Sequence, residues 1–282
     1  MRSPGGFRDH LGAHGESIRE STEPADVRQF CGLVHTRYNP NPVRLLNQRL
    51  PASALATETA GLVAVVCLAL VARAVLPLSA WYPVKAGALF SIVMALALGH
   101  VRGHHPFAQF GSANQVTTVR AILVVLVASL IGEPGLPPVA ATAATVGFGA
   151  TVLDGMDGWL ARQAGMASAF GARFDVEIDA LLIQALAILA WRYGKAGPWV
   201  LLSGLMRYGF VAAGWLWPWM RRPLTPTLRG RIICTVQVAA LVLTIVPAIP
   251  PPLSTVIAAL GLAALSYSFL VDTLRLRAAR PL

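Results

Sequence analysis

The apolar residues of this 282-residue chain fall into eight blocks separated by short breaks. Each block is roughly 17 to 25 residues long, about what a helix needs to cross ~30 Å of hydrocarbon. Inside a bilayer no water satisfies a backbone N–H or C=O, so such a block closes its hydrogen bonds on itself as α-helix. The spans predicted are roughly 55 to 78, 84 to 101, 117 to 132, 138 to 156, 177 to 193, 197 to 216, 231 to 248 and 253 to 273. The expected fold class is therefore all-α, a polytopic membrane helical bundle. A composition of 55% hydrophobic and 13% charged residues is too apolar for an ordinary soluble domain and points the same way.

Charge decides the expected sidedness. The formal net charge is +10, but the basic residues lie between apolar blocks and not along one amphipathic face, so membrane topology explains them and no nucleic-acid partner is indicated. One set of loops carries Arg102, Arg162, Arg173, Arg221, Arg222, Arg229, Arg231, Arg275, Arg277 and Arg280. The opposite set has Arg192 and Lys195, with Lys85 and Arg73 near its edge. By the positive-inside rule both termini and the loop after the fourth span are cytosolic. Residues 1 to 50 hold seven arginines, five acids and no apolar run, which predicts a polar, largely disordered cytosolic tail. They lack the apolar h-region of a cleavable signal peptide, so the first span does the targeting. Arginine outnumbers lysine 21 to 2, a bias of GC-rich bacterial genomes that predicts a bacterial inner (plasma) membrane. Cys31, Cys67 and Cys234 form no CxxC pattern and read as packing residues, and Trp215, Trp217 and Trp219 read as an interfacial belt.

After residue 50 the chain has eight acids, and five of them, Asp154, Asp157, Asp175, Glu177 and Asp179, lie between 154 and 179. Carboxylates at membrane depth persist where they meet a cation, a partner or water, so the cluster marks a functional site. Asp154 and Asp157 are three apart at the end of one span; Asp175 and Asp179 are four apart at the start of the next. Each pair projects from one helical face. The intervening Gly158-Trp-Leu-Ala161-Arg162-Gln-Ala-Gly165 reads as a turn-rich connection that folds the two helix ends against each other. Four converging carboxylates exceed what Arg162 and Arg173 can neutralise, and one or two hard divalent cations would solve this. A solvated acidic loop capping two helices is the bland alternative.

The motif Asp154-x2-Asp157-Gly158-x2-Ala161-Arg162-x8-Gly171-x3-Asp175-x3-Asp179 resembles, at every position, the signature of the CDP-alcohol phosphotransferase (CDP-alcohol phosphatidyltransferase) family. The resemblance implies a six-helix core over residues 104 to 282, with two additional transmembrane helices over residues 51 to 103. It also implies that Asp154, Asp157 and Asp175 hold Mg2+ or Mn2+, as a pair of ions shared with Asp179, and that Asp179 deprotonates the attacking hydroxyl. Gly158, Ala161, Arg162 and Gly171 would shape the cytidine nucleotide site. Upstream, Asn114-x2-Thr117-x2-Arg120 resembles a segment that many members carry before their first core helix. There the residues leave two readings open: contact with the nucleotide or metal site, or an Asn–Thr helix cap followed by a first-turn Arg that snorkels.

The reaction implied is in-line attack by a polar alcohol on a CDP-linked donor, most simply CDP-diacylglycerol, with release of CMP in phospholipid biosynthesis. A CDP-linked small alcohol with a lipid acceptor is the alternative donor arrangement. Arg207, charged and well inside the sixth span, reads as acceptor- or phosphate-binding, with an internal acidic partner as the alternative. Arg229 and Arg231 read either as acceptor-binding or as inside-positive flanks. Gly230 to Gln237 resembles the Gly-Lys-x-Lys-Thr-x2-Gln segment of phosphatidylglycerophosphate synthases, but Ile233 replaces the second Lys and Cys234 the Thr, so the acceptor stays unnamed. Many family members resemble homodimers. Membrane prenyltransferases also bind pyrophosphate through Asp-rich helix ends, but lack the Gly-x2-Ala-Arg-x8-Gly spacer. A cation-coupled transporter would carry its acids near the midplane instead of at span ends. An inactive lipid-binding scaffold is a third rival, against which the complete set of aspartates argues.

Overall fold

The computed structural model describes residues 50–104, 112–164, 169–221 and 227–278. The described residues form α-helices with short 3-10 turns and no strand. In chain order the helices are α1 (Leu50–Val75), α2 (Tyr82–His104), α3 (Ser112–Ser129), α4 (Pro137–Ala164), α5 (Ala169–Arg192), α6 (Leu202–Leu216), α7 (Leu228–Ile245) and α8 (Pro251–Ala278). They match the eight predicted spans one for one. Four stretches, those of α1, α6 with its preceding 3-10 turn, α7 and α8, are long and apolar enough to cross a membrane by themselves. The chain is an integral membrane helical bundle. The expectation for the polar tail lies outside the described residues.

The ends of the helices follow from local chemistry. Prolines with preset φ stand at the starts of α4 (Pro137, Pro138) and α8 (Pro251, Pro252), where a missing N–H costs nothing. Thr227 caps α7 by accepting the Gly230 N–H at 3.2 Å. After α3 and α5 the chain reverses through Gly132 and Gly194, whose φ of 90° and 67° lies in the left-handed region that L side chains resist. Lys195 then donates to the carbonyls of Val246, Pro247 and Ile249 at 3.2, 3.3 and 2.6 Å, satisfying acceptors that the end of α7 leaves open.

Three boundaries near the site differ from the sequence expectation. α4 runs on to Ala164, so residues 158 to 164 continue the helix where a turn-rich connection was expected. Correspondingly, α5 begins at Ala169, well before 177. Loss of hydropathy marked the edge of the apolar layer, not the end of the hydrogen-bonded helix, which protrudes beyond it. α3 likewise starts at Ser112, placing Thr117 and Arg120 inside the helix and not at its cap or in its first turn.

α3 and α5 form the axis of the bundle. Val124, Val125 and Val127 of α3 and Ile178, Leu182, Leu186 and Leu189 of α5 are almost fully buried in one apolar cluster. α3 packs against both α4 and α5, which among the described residues touch each other far less. The described carboxylates of the two helices therefore meet across α3, while the side chains at the facing ends of α4 and α5, where the sequence reading puts their contact, lie outside the described residues. α1 and α2 pair with each other and lean on α3, while Val63, Leu70, Leu205, Leu260 and Leu270 of α1, α6 and α8 face outward, as lipid-facing residues must.

Candidate functional site

Asp154 lies two-thirds of the way along α4, and Asp175 and Asp179 lie one turn apart near the start of α5. Each contributes one carboxylate oxygen to a group whose members all lie within 4.8 Å of one another. Two carboxylates this close repel by about 3 kcal/mol at an effective dielectric of 20. Helix packing alone does not hold such a group together, and the compensating charge comes from α3. The Arg120 guanidinium reaches Asp154 Oδ1 at 2.9 Å through Nη2, donates to Asp179 through the same nitrogen, and donates to Asp175 through Nη1.

The burial of these groups is unequal. The Arg120 side chain is 1% exposed, whereas those of Asp154, Asp175 and Asp179 are 31%, 33% and 25% exposed. The guanidinium thus sits behind the carboxylates on the buried side, and the carboxylates keep an open face. Thr117 and Thr118, one turn before Arg120 or less, are buried beside it on α3. Arg231, exposed at the start of α7, is close enough for its positive charge to act on Asp154. Among the described residues, the one guanidinium in direct contact with three carboxylates leaves negative charge on a set of oxygen-only donors. Such a set suits a hard divalent ion such as Mg2+ or Mn2+ and suits thiophilic metals poorly.

Of the residues singled out from sequence, the structure brings Asp154, Asp175 and Asp179 together. The helical backbone carries Asn114, Asp157, Gly158, Ala161, Arg162 and Gly171, but their side chains lie outside the described residues. Two of the other candidate arginines have acidic partners. Arg207 of α6 pairs with Glu177 at 2.8 Å, on the face of α5 turned away from Asp175 and Asp179. Arg229 of α7 pairs with Asp272 of α8 at 2.5 Å and lies 5.9 Å from the Tyr267 ring centre. The residue that the sequence reading left undecided is Arg120, and the structure puts it at the centre. Its signal was there in the third position of Asn114-x2-Thr117-x2-Arg120 and in the rarity of arginine within an apolar run.

Residues 110–267, more than half of the chain, match the family model described as CDP-alcohol phosphatidyltransferase. The match covers α3 through most of α8 and leaves α1 and α2 outside it. No curated protein and no solved structure matches the chain.

Proposed function

The chain belongs to the CDP-alcohol phosphatidyltransferase family, and from that premise we infer that it transfers a phosphatidyl group from CDP-diacylglycerol to a hydroxyl of a polar alcohol, releasing CMP. The observation that carries this reading is the convergence of Asp154, Asp175 and Asp179 from two helices onto one half-open site. A bundle whose outer helices face lipid also suits a donor whose acyl chains stay in the bilayer while its headgroup reaches the helix ends.

The roles divide by position. Asp154, Asp157 and Asp175 would hold Mg2+ or Mn2+, as a pair of ions. Such ions, when bound, neutralise the donor pyrophosphate and stabilise departing CMP. Asp179 takes the proton of the acceptor hydroxyl. The freed oxygen attacks the phosphorus that bears the lipid, the bond from that phosphorus to the CMP oxygen breaks, and the proton remains on Asp179. Phosphoryl transfer asks for positioning and charge more than for covalent help, which these residues supply. Gly158, Ala161, Arg162 and Gly171, with Asn114 and Thr117, are assigned to the nucleotide by the family signature; Arg207, Arg229 and Arg231 are the basic residues considered for an acceptor. α3 to α8 form the catalytic core and α1 with α2 an addition to it. The arginine-rich loops support placing the site and both termini on the cytosolic side of a bacterial plasma membrane.

The test is release of CMP from CDP-diacylglycerol by the detergent-purified chain, offered a panel of polar alcohols and their phosphates. Release is expected only with Mg2+ or Mn2+ and with one class of acceptor. Equal turnover in chelator would overturn the metal assignment, and no turnover with any acceptor would overturn the reaction.

A further inference from the structure

Arg120 has the geometry of a built-in cation. It lies in the middle of α3, reaches Asp154 on α4 and Asp175 and Asp179 on α5, and is as buried as the apolar core around it. Among the described residues, this side chain connects the Asp154 half of the cluster to the Asp175 and Asp179 half. We propose that Arg120 is the resident counter-cation of the cluster: it holds the three carboxylates in register and, by like-charge repulsion, limits how tightly they take a divalent ion. The proposal rests on the reading of the cluster as a metal site.

The sign of the effect separates this role from a merely structural one. A residue that only orients metal ligands weakens metal binding when it is lost, commonly by about 10- to 100-fold. A buried positive charge within 3 Å of a ligand oxygen does the opposite. At that range its repulsion of a divalent ion outweighs the loss of its three orienting contacts, because a bound ion would itself supply the positive charge that keeps the carboxylates together. Function gains from the arrangement. The carboxylates stay assembled while ions and nucleotide exchange, and the ion is not held so tightly that it fails to leave with the product.

The experiment measures binding of Mn2+ to the purified full-length chain by the electron paramagnetic resonance signal of the free ion. Arg120→Gln, which removes the charge, is expected to bind Mn2+ at least about tenfold more tightly than wild type. Arg120→Lys, which keeps the charge and loses the fork, should stay within about threefold of wild type. Equal or weaker binding by Arg120→Gln overturns the proposal. Where Arg120→Gln is unstable in chelator, it is prepared in Mn2+ and the gain in melting temperature from Mn2+ is compared. A larger gain than in wild type supports the proposal, and an equal or smaller one overturns it. If neither wild type nor variant binds Mn2+, the metal reading itself falls and this inference with it. If wild type binds Mn2+ through Asp154, shown by loss in Asp154→Asn, while Arg120→Gln is unchanged, only this inference falls.

Discussion

Ser79, between α1 and α2, donates its backbone N–H and its hydroxyl to Glu133 at 2.7 and 2.8 Å. Lys85 of α2 donates to the same carboxylate and, at 3.4 Å, to the Ile131 carbonyl. The Glu133 side chain is 1% exposed. It lies just past the end of α3 remote from Arg120, and the helix from Arg120 to Ser129 is about 14 Å long. One carboxylate thus ties the α1–α2 pair to the core at the end opposite the aspartates.

That tie predicts a pH dependence. Burial raises the Glu133 pKa, but the bonds from Lys85 and Ser79 outweigh it and leave the carboxyl below its ordinary value of 4.5. A group whose folded pKa is depressed stabilises the fold above its unfolded value, and that contribution is lost as pH falls through the folded one. The melting temperature should therefore drop on acidification below about pH 4.5, over a range set by the depressed pKa. Glu133→Gln should start lower at neutral pH and lose less over that window. Glu133→Ala strands several donors and should cost about 2 to 3 kcal/mol at neutral pH. An acid transition of identical size in wild type and Glu133→Gln would remove Glu133 as its source.

The divided labour of the aspartates is tested by asparagine substitution. Asp179→Asn should keep donor binding while turnover falls by about 100-fold or more, the usual worth of a positioned base. Asp157→Asn should lose both. Binding is read by fluorescence of a labelled CDP-lipid and turnover by CMP release. Wild-type turnover in Asp179→Asn would remove its assignment as base.

Arg207 and Glu177 allow two readings to be separated. If Arg207 serves the acceptor, Arg207→Ala raises the acceptor KM by about tenfold and leaves the donor KM nearly unchanged, the loss of one charge-assisted bond to substrate. If it serves only Glu177, the acceptor KM stays constant, and Arg207→Ala with Glu177→Ala is less destabilising than the sum of the two. We expect the second outcome, because Glu177 and its partner Arg207 lie on the face of α5 turned away from Asp175 and Asp179, where the acceptor hydroxyl has to be.

The bundle was legible because hydropathy reports directly on the solvent a helix meets, and all eight spans follow from it. The signature was legible because its spacing is local, with Asp154 to Asp179 inside a stretch of two helices. What escaped were contacts between residues remote in sequence. Arg120 is 55 and 59 positions from Asp175 and Asp179, and an arginine at the edge of an apolar run is equally compatible with snorkelling. Glu133 read only as part of a proline-rich break, because nothing in the local chain shows that Ser79 and Lys85, 54 and 48 positions away, close over it. The extension of α4 to Ala164 escaped for another reason: glycines and polar residues end an apolar block, but a helix long enough to leave the membrane tolerates them.

The α7–α8 contact offers a last test, independent of catalysis. Gln237 of α7 is fully buried and donates to Ser203 Oγ of α6 at 3.0 Å. Its amide oxygen lies against Gly261 of α8, where an added Cβ would stand 2.7 Å from that oxygen and 2.9 Å from the Ala240 Cβ. Small residues let helix backbones approach closely in lipid, and here the glycine makes room for both a polar side chain and a methyl group. The Gln237 oxygen can shift, but the Ala240 Cβ moves only with its helix. Gly261→Ala should therefore destabilise the chain by about 1 to 3 kcal/mol, and Gly261→Leu should abolish recovery of monodisperse protein. Adding Ala240→Gly to Gly261→Ala removes the fixed obstacle and should restore much of the melting temperature. Failure of that second substitution to restore it would mean that the Gln237 amide, and not the backbone approach, makes Gly261 necessary.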